Sequence, residues 1–249
     1  MLENSSERPR PFADAPWRLR DVVQFVLLWL GGQVILGLVL TFQPLWPQLS
    51  RYIAQSANGQ NIVASLVVSI VSFVLGFGVL AWMLRQRHAG WGSLGWRRFS
   101  LIKAIGLVVV LLIAFLVLIW ITFVLVTVLV PGFDANQAQT NDFTNPRSRQ
   151  EWWVSLMALV VLPPVIEETI FRGLAFAAFS KRWGYIWGAV LSSVLFALLH
   201  GQANVGVYTF VLGLMLCVVY VKFKSIGPGI LLHMANNLLA FLAIGANAQ

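Results

Sequence analysis

Residues 162–174 read LPPVIEETIFRGL, a stretch that holds Glu167, Glu168 and Arg172 inside otherwise apolar sequence. Glu168 and Arg172 are four apart with the acid on the N-terminal side, the favourable order for an ion pair on one helix face. Glu167 lies about 100° around the same helix, so it faces another direction with no partner in its own helix. A desolvated carboxylate without a partner is a stronger base than one in water, which suits general-base work near neutral pH. Pro163 and Pro164 remove two backbone donors one turn earlier. The helix is therefore expected to kink or begin anew there, opening a small polar pocket of the kind tolerated only where protein or water lines it.

Two further constellations follow. His200 ends the string FALLH, with Phe196 one turn before it on the same face. His233 and Asn237 are one turn apart in HMANN, and Gly227 and Pro228 fit the start of their helix. Asn236, one residue from Asn237, is expected to point elsewhere. A lone histidine on an apolar helix is more commonly a packing residue, and a Glu–Arg pair is as readily structural as functional. A glutamate, two histidines and an asparagine on three consecutive segments are harder to dismiss, because together they can hold a water and stabilise an oxyanion.

The elements that position these residues are written in the composition. Of 249 residues, 59% are hydrophobic and only 10% charged, with a mean hydropathy of +0.80. Soluble domains carry about 25% charged residues. Apolar runs at 22–42, 62–84, 104–130, 152–179, 184–200, 204–223 and 226–246 each approach the roughly 20 residues that cross a bilayer core. The expected fold is an all-α, polytopic transmembrane helical bundle of about seven spans. Ionisable groups at membrane depth are costly and mark functional sites by default. The first 21 residues are polar and carry both acids and bases, unlike a secretory signal.

Charge sets the expected orientation. Thirteen basic residues fall in the N-terminal segment and in the connections after spans two, four and six; Arg51, Arg147 and Arg149 fall on the other side. The positive-inside rule then puts the N-terminus in the cytoplasm and the C-terminus on the far side. Trp17, Trp91, Trp96, Trp152, Trp153 and Trp183 lie near span ends, as an interfacial aromatic belt requires. The net charge of +8 is spread in short clusters between apolar runs, which argues against nucleic acid. The loop RQRHAGWGSLGWRRFS is expected on the cytoplasmic headgroups, with His88 at the surface. Cys217, the single cysteine, lies in an apolar run and reads as a small buried hydrophobe.

The expected organisation is a polar cytoplasmic segment (1–21), three generic spans (22–130), a polar non-cytoplasmic loop (131–151, a mobile connection or a substrate lid) and a four-span core (152–246). No internal repeat is visible. The protein is expected in the plasma membrane or an internal membrane of a bacterium-like cell.

EETIFR, FALLH and HMANN, in this order, resemble the EExxxR, FxxxH and HxxxN motifs of the CPBP family. These intramembrane proteases include type II CAAX prenyl endopeptidases and a bacteriocin-processing and immunity group. The likeness covers about 150–246. It implies an intramembrane endopeptidase acting on membrane-associated peptides or proteins, prenylated or leader-bearing, with membrane lipid around it. It further implies that Glu167 and His200 activate water, that His233 and Asn237 steady the oxyanion, and that Glu168, Arg172 and Phe196 support the site, with Phe196 near the substrate. No cofactor is expected; zinc is the alternative, with Glu167, His200 and His233 as its ligands. The resemblance also implies a cavity opening toward the cytoplasm and the bilayer. Residue counting puts His200 near the far face and Glu167 nearer mid-bilayer, two depths that do not match. The rival readings are an inactive family member serving as membrane scaffold or immunity factor, and a proton- or cation-coupled transporter.

Overall fold

The computed structural model describes residues 14–41, 62–135 and 148–247, together with Phe12, Pro47, Gln48, Arg51 and Gln137. Most of the connection 131–151, including Arg147, and most of the N-terminal segment, including Arg8 and Arg10, lie outside the described residues. All regular structure among the described residues is helical. Helix α1 is Leu19–Thr41, α2 Ile62–Gln86 and α3 Leu101–Leu129, with a short 3₁₀ turn at Trp91–Leu94 between the last two. A long helical stretch follows: α4 (Arg149–Leu156), a π-helical segment Met157–Val161, α5 (Leu162–Glu168), a second π-helical segment Thr169–Phe176, and α6 (Ala177–Leu198). Helices α7 (Ala203–Phe223) and α8 (Gly227–Asn247) complete the chain.

Among the described residues, five stretches are long and apolar enough to cross a membrane: Leu19–Val39, Ser69–Gln86, Leu101–Leu129, Arg149–Leu198 and Ala203–Phe223. The fourth, of 50 residues, is not straight. Gly184 has φ 84° and ψ 173°, outside the helical region, and the chain reverses there. Gly188 on the returning arm then packs against Ser180 on the outgoing one, so closely that a β-carbon would sit 2.8 Å from the Ser180 backbone nitrogen. Glu167 and His200 lie almost equally far along the two arms from this reversal. The returning arm rises only about 20 Å, short of a roughly 30 Å hydrocarbon core. It therefore ends His200 at the depth of Glu167, and the mismatch expected from counting disappears.

Helix α3 shows what the bilayer does for this fold. Only Ala104, Val108, Phe115 and Ile119 are buried, one stripe along the helix, while Ile102, Val128 and Leu129 are more than 70% exposed. An apolar surface of that extent is a liability in water and an ordinary one in lipid. The buried stripe packs against Leu212, Leu216 and Val219 of α7 and Leu232 of α8. Helices α1 and α2 meet the other side of the site-bearing stretch through Phe25, Leu80, Met83, Ile166, Ile170 and Leu174.

Contacts also define the two ends of the bundle. At one end Trp17 donates to the Ser93 carbonyl (2.9 Å), Lys181 to Ala15 (2.6 Å) and Ser225 to Arg97 (2.8 Å). The N-terminal segment, the α2–α3 connection, the Gly184 reversal and the α7–α8 turn therefore gather together, and these are the segments rich in Arg and Lys. Here the α2–α3 connection does more than lie on headgroups. Leu94 is fully buried on Gly173, whose β-carbon position is 2.3 Å from the Leu94 carbonyl oxygen, while His88 is exposed as expected. At the opposite end Asn204 donates to Gln137 (2.8 Å), and Trp152 packs on Phe241 with ring centroids 5.6 Å apart.

Candidate active site

The three motif strings meet in the centre of the bundle. The Arg172 Nη1 atom lies 2.9 Å from Glu168 Oε1, with both side chains at or below 1% exposure. Arg172 also donates to the Gly213 carbonyl at 3.3 Å and stacks its guanidinium over the Phe196 ring, 4.7 Å from the centroid. Gly213 makes that contact accessible: a side chain there would meet Ser193 Oγ at 2.8 Å and hold α7 away. Small residues at helix crossings allow such backbone approach in membranes.

Glu168 Oε1 serves a second partner. His233 Nδ1 lies 3.1 Å from it, while His233 Nε2 lies 3.6 Å from Glu167 Oε2. One imidazole thus spans two adjacent carboxylates that leave their helix about 100° apart, because its ring nitrogens point in different directions. Glu167 faces the cavity, as expected, but the neighbouring helix brings a histidine to it. Its side chain is 25% exposed, against 0% for Glu168. Glu168 Oε2 is buried without a hydrogen-bond partner and abuts Gly229, where a β-carbon would lie 3.0 Å from it.

His200 lies in the turn just past the end of α6. Its Nδ1 is 2.8 Å from the Phe196 carbonyl; since a carbonyl only accepts, Nδ1 carries the proton and Nε2 is left as the acceptor of the neutral ring. Phe196 is fully buried and does not line the cavity. It packs edge-on against both His200 (4.8 Å) and His233 (5.7 Å), so its contacts are with site residues.

A cavity of about 270 Å³ opens beside these groups, lined by Glu167, His200, His233 and Asn237 with apolar neighbours such as Leu159, Leu212 and Phe241. Asn236 corrects an expectation. It lines the same cavity as Asn237, is 2% exposed, accepts from the Tyr208 hydroxyl and donates to Asn237 Oδ1 at 3.2 Å. Asn237 in turn donates to the Leu159 carbonyl at 2.9 Å, leaving one amide hydrogen free. Sequence reasoning missed Tyr208; the available signal was a tyrosine in a span, whose hydroxyl needs a partner when buried.

The prolines act as expected and with a particular consequence. Helix α5 restarts with Pro in its first turn after a π-helical segment, and π-bulges occur at functional sites more than elsewhere. Among the described residues no three His, Cys, Asp or Glu side chains form a group that could hold a metal ion.

Residues 149–239 match the family described as type II CAAX prenyl endopeptidase Rce1-like. This site-bearing segment belongs to the Rce1-like family. The chain is an integral, multi-pass membrane protein, and this segment is of a membrane-protease family. It is 28% identical over 86 residues to the "Putative membrane peptidase YdiL" of Bacillus subtilis, covering 34% of this chain and 35% of that one. It is 32% identical over 95 residues to an "Uncharacterized 24.3 kDa protein" of Escherichia coli, covering 36% and 43%. Against the UPF0177 protein YbdI of Lactococcus lactis it is 26% identical over 117 residues, covering 45% and 61%. The chain spans between 35% and 61% of the length of these curated relatives. No solved structure matches it.

Proposed function

We propose that this protein is an intramembrane endopeptidase that hydrolyses membrane-associated peptides or proteins with a water activated by Glu167 and His200. The observation that carries the reading is that both side chains line one cavity of about 270 Å³ with His233 and Asn237, while Glu168 and Arg172 behind them are fully buried. In this reading the Rce1-like domain sits in a bundle of about seven membrane-embedded segments, the returning arm of α6 stopping short of a full crossing, with its N-terminus in the cytoplasm.

Glu167 takes a proton from the water as its oxygen attacks the scissile carbonyl carbon. The neutral His200 ring, oriented through Nδ1, presents Nε2 to the same water. The oxyanion is met from the α8 side by His233 and by the free amide hydrogen of Asn237. The C–N bond then breaks, and the departing amine takes the proton from Glu167. Glu168 and Arg172 hold His233 and do not touch substrate. Such proton transfers contribute about 10²–10⁴-fold each. No step is routed through a metal. Prenylated and leader-bearing polypeptides are the two substrate classes to compare.

The test is cleavage of a fluorogenic peptide library, prenylated members included, by the purified protein and by Glu167→Ala, each with and without chelator. Cleavage lost in the variant and kept under chelation supports the reading. Cleavage kept by the variant removes Glu167 as the base, and cleavage lost only with chelator replaces the metal-free mechanism.

A further inference from the structure

The cavity has a direction. Its floor is Glu167, His233 and Leu212, and its wall rises through Pro163 and Leu159 on one helix, Thr209 and Val205 on α7, and Asn237 and Ala240 on α8. Each of these series runs toward the same end of the bundle: the start of α4, the start of α7 and the finish of α8. That end carries the Asn204–Gln137 hydrogen bond and the Trp152–Phe241 contact. In the other direction the way is shut. Every residue from Glu168 to Ala178 is buried, as are Leu216, Tyr220 and Ile230 facing them. Below these, Phe12 stacks on Tyr220 at 5.3 Å and meets Phe176 edge-on at 5.5 Å.

The shut end is the basic one. Arg97, Arg98, Lys181, Arg182, Lys222 and Lys224 belong to segments that the contacts gather there, whereas the open end holds Arg149. Membrane proteins keep their Arg- and Lys-rich connections in the cytoplasm.

We propose that the cavity is entered from the non-cytoplasmic face, so that its substrate is an extended polypeptide stretch presented on that face, from an exported or membrane-anchored protein, and not a lipidated C-terminus arriving from the cytoplasm. This rests on the endopeptidase reading for the word substrate, but the direction of entry stands on geometry and charge alone. The lining suits such a stretch: mostly apolar, with the polar Tyr208, Asn236 and Asn237 on the wall to orient a peptide backbone.

Cysteine accessibility tests the direction without requiring catalysis. Native Cys217 is 1% exposed and serves as the background. Ala240→Cys places a thiol at the mouth, Arg98→Cys marks the basic end and Ser148→Cys the opposite end, all at exposed positions. A membrane-impermeant maleimide is applied to spheroplasts and to inside-out vesicles of an expressing bacterium. The expected result is labelling of Ala240→Cys and Ser148→Cys in spheroplasts, and of Arg98→Cys only in inside-out vesicles. Labelling of Ala240→Cys together with Arg98→Cys overturns the proposal. So does labelling of Ala240→Cys by neither route when a membrane-permeant maleimide reaches it, because the mouth then opens into lipid. Outward labelling of a protein that cleaves nothing would defeat the endopeptidase reading and leave the direction intact; inward labelling of an active protein would do the reverse.

Discussion

The Asn237 side-chain amide donates to the Leu159 carbonyl at 2.9 Å, and no backbone donor can take its place. The α-helical donor to that carbonyl would be residue 163 and the π-helical donor residue 164; both are proline. The cavity-lining asparagine of α8 thereby satisfies a carbonyl that the proline pair orphans, and it ties two walls of the cavity together.

Asn237→Ala is expected to lower stability by about 1–3 kcal/mol, the penalty for an unsatisfied buried polar group, and to weaken cleavage. Pro163→Ala restores a backbone donor to Leu159, so the double variant Asn237→Ala/Pro163→Ala is expected to regain most of the thermal stability in detergent. If the double variant is no more stable than Asn237→Ala, capping is not what Asn237 contributes.

Arg172→Met leaves Glu168 buried without its cation. Removing one partner of a buried pair typically costs about 3–5 kcal/mol, and here His233 also loses a fixed acceptor position. The variant is expected to unfold at markedly lower temperature, whereas Arg172→Met/Glu168→Gln recovers part of the loss. Equal melting temperatures for wild type and Arg172→Met would show that the pair is dispensable.

His200→Asn retains an N–H where Nδ1 stands and removes Nε2. The hydrogen bond to the Phe196 carbonyl is expected to survive, holding stability within about 1 kcal/mol, while cleavage falls by about 10²–10⁴-fold. A stable His200→Asn protein that cleaves at the wild-type rate would remove Nε2 from the mechanism.

Gly173→Ala drives a β-carbon to 2.3 Å from the Leu94 carbonyl oxygen. Backbone has to move, at a cost of about 1–3 kcal/mol, and the α2–α3 connection is expected to lift from the bundle. Limited proteolysis after Arg97 or Arg98 reads this directly; unchanged protection would show that the helix, and not the connection, gives way. Gly106→Ala, with open space around its position, is the control.

Hydropathy located the helices because it is a local property. The run expected at 204–223 is the helix Ala203–Phe223, and that at 62–84 is Ile62–Gln86. The break between 179 and 184 is the reversal at Gly184. The pairing of Glu168 with Arg172 was legible for the same reason, being set by four residues of one helix. What the 3.6-residue period cannot supply is rotational phase beyond a π-helical segment, and this stretch has two of them. Asn236 on α8 and Tyr208 on α7 lie outside that stretch; that they line the cavity depends on how α7 and α8 pack against it, which spacing within either helix does not carry. His233 bridging both glutamates depends on the distance and rotation of α8 relative to α5, which no spacing within either string encodes.

The sequence by itself determined that this chain is a membrane-embedded helical protein with a small set of ionisable residues in three ordered strings, because transfer into lipid penalises every other placement of so apolar a chain. Only the tertiary structure decided that those residues share one cavity and that the cavity leads away from the basic end of the bundle. Depth, phase and direction come from how helices cross and where Gly184 turns them, and these are properties of packing between segments rather than of any segment alone.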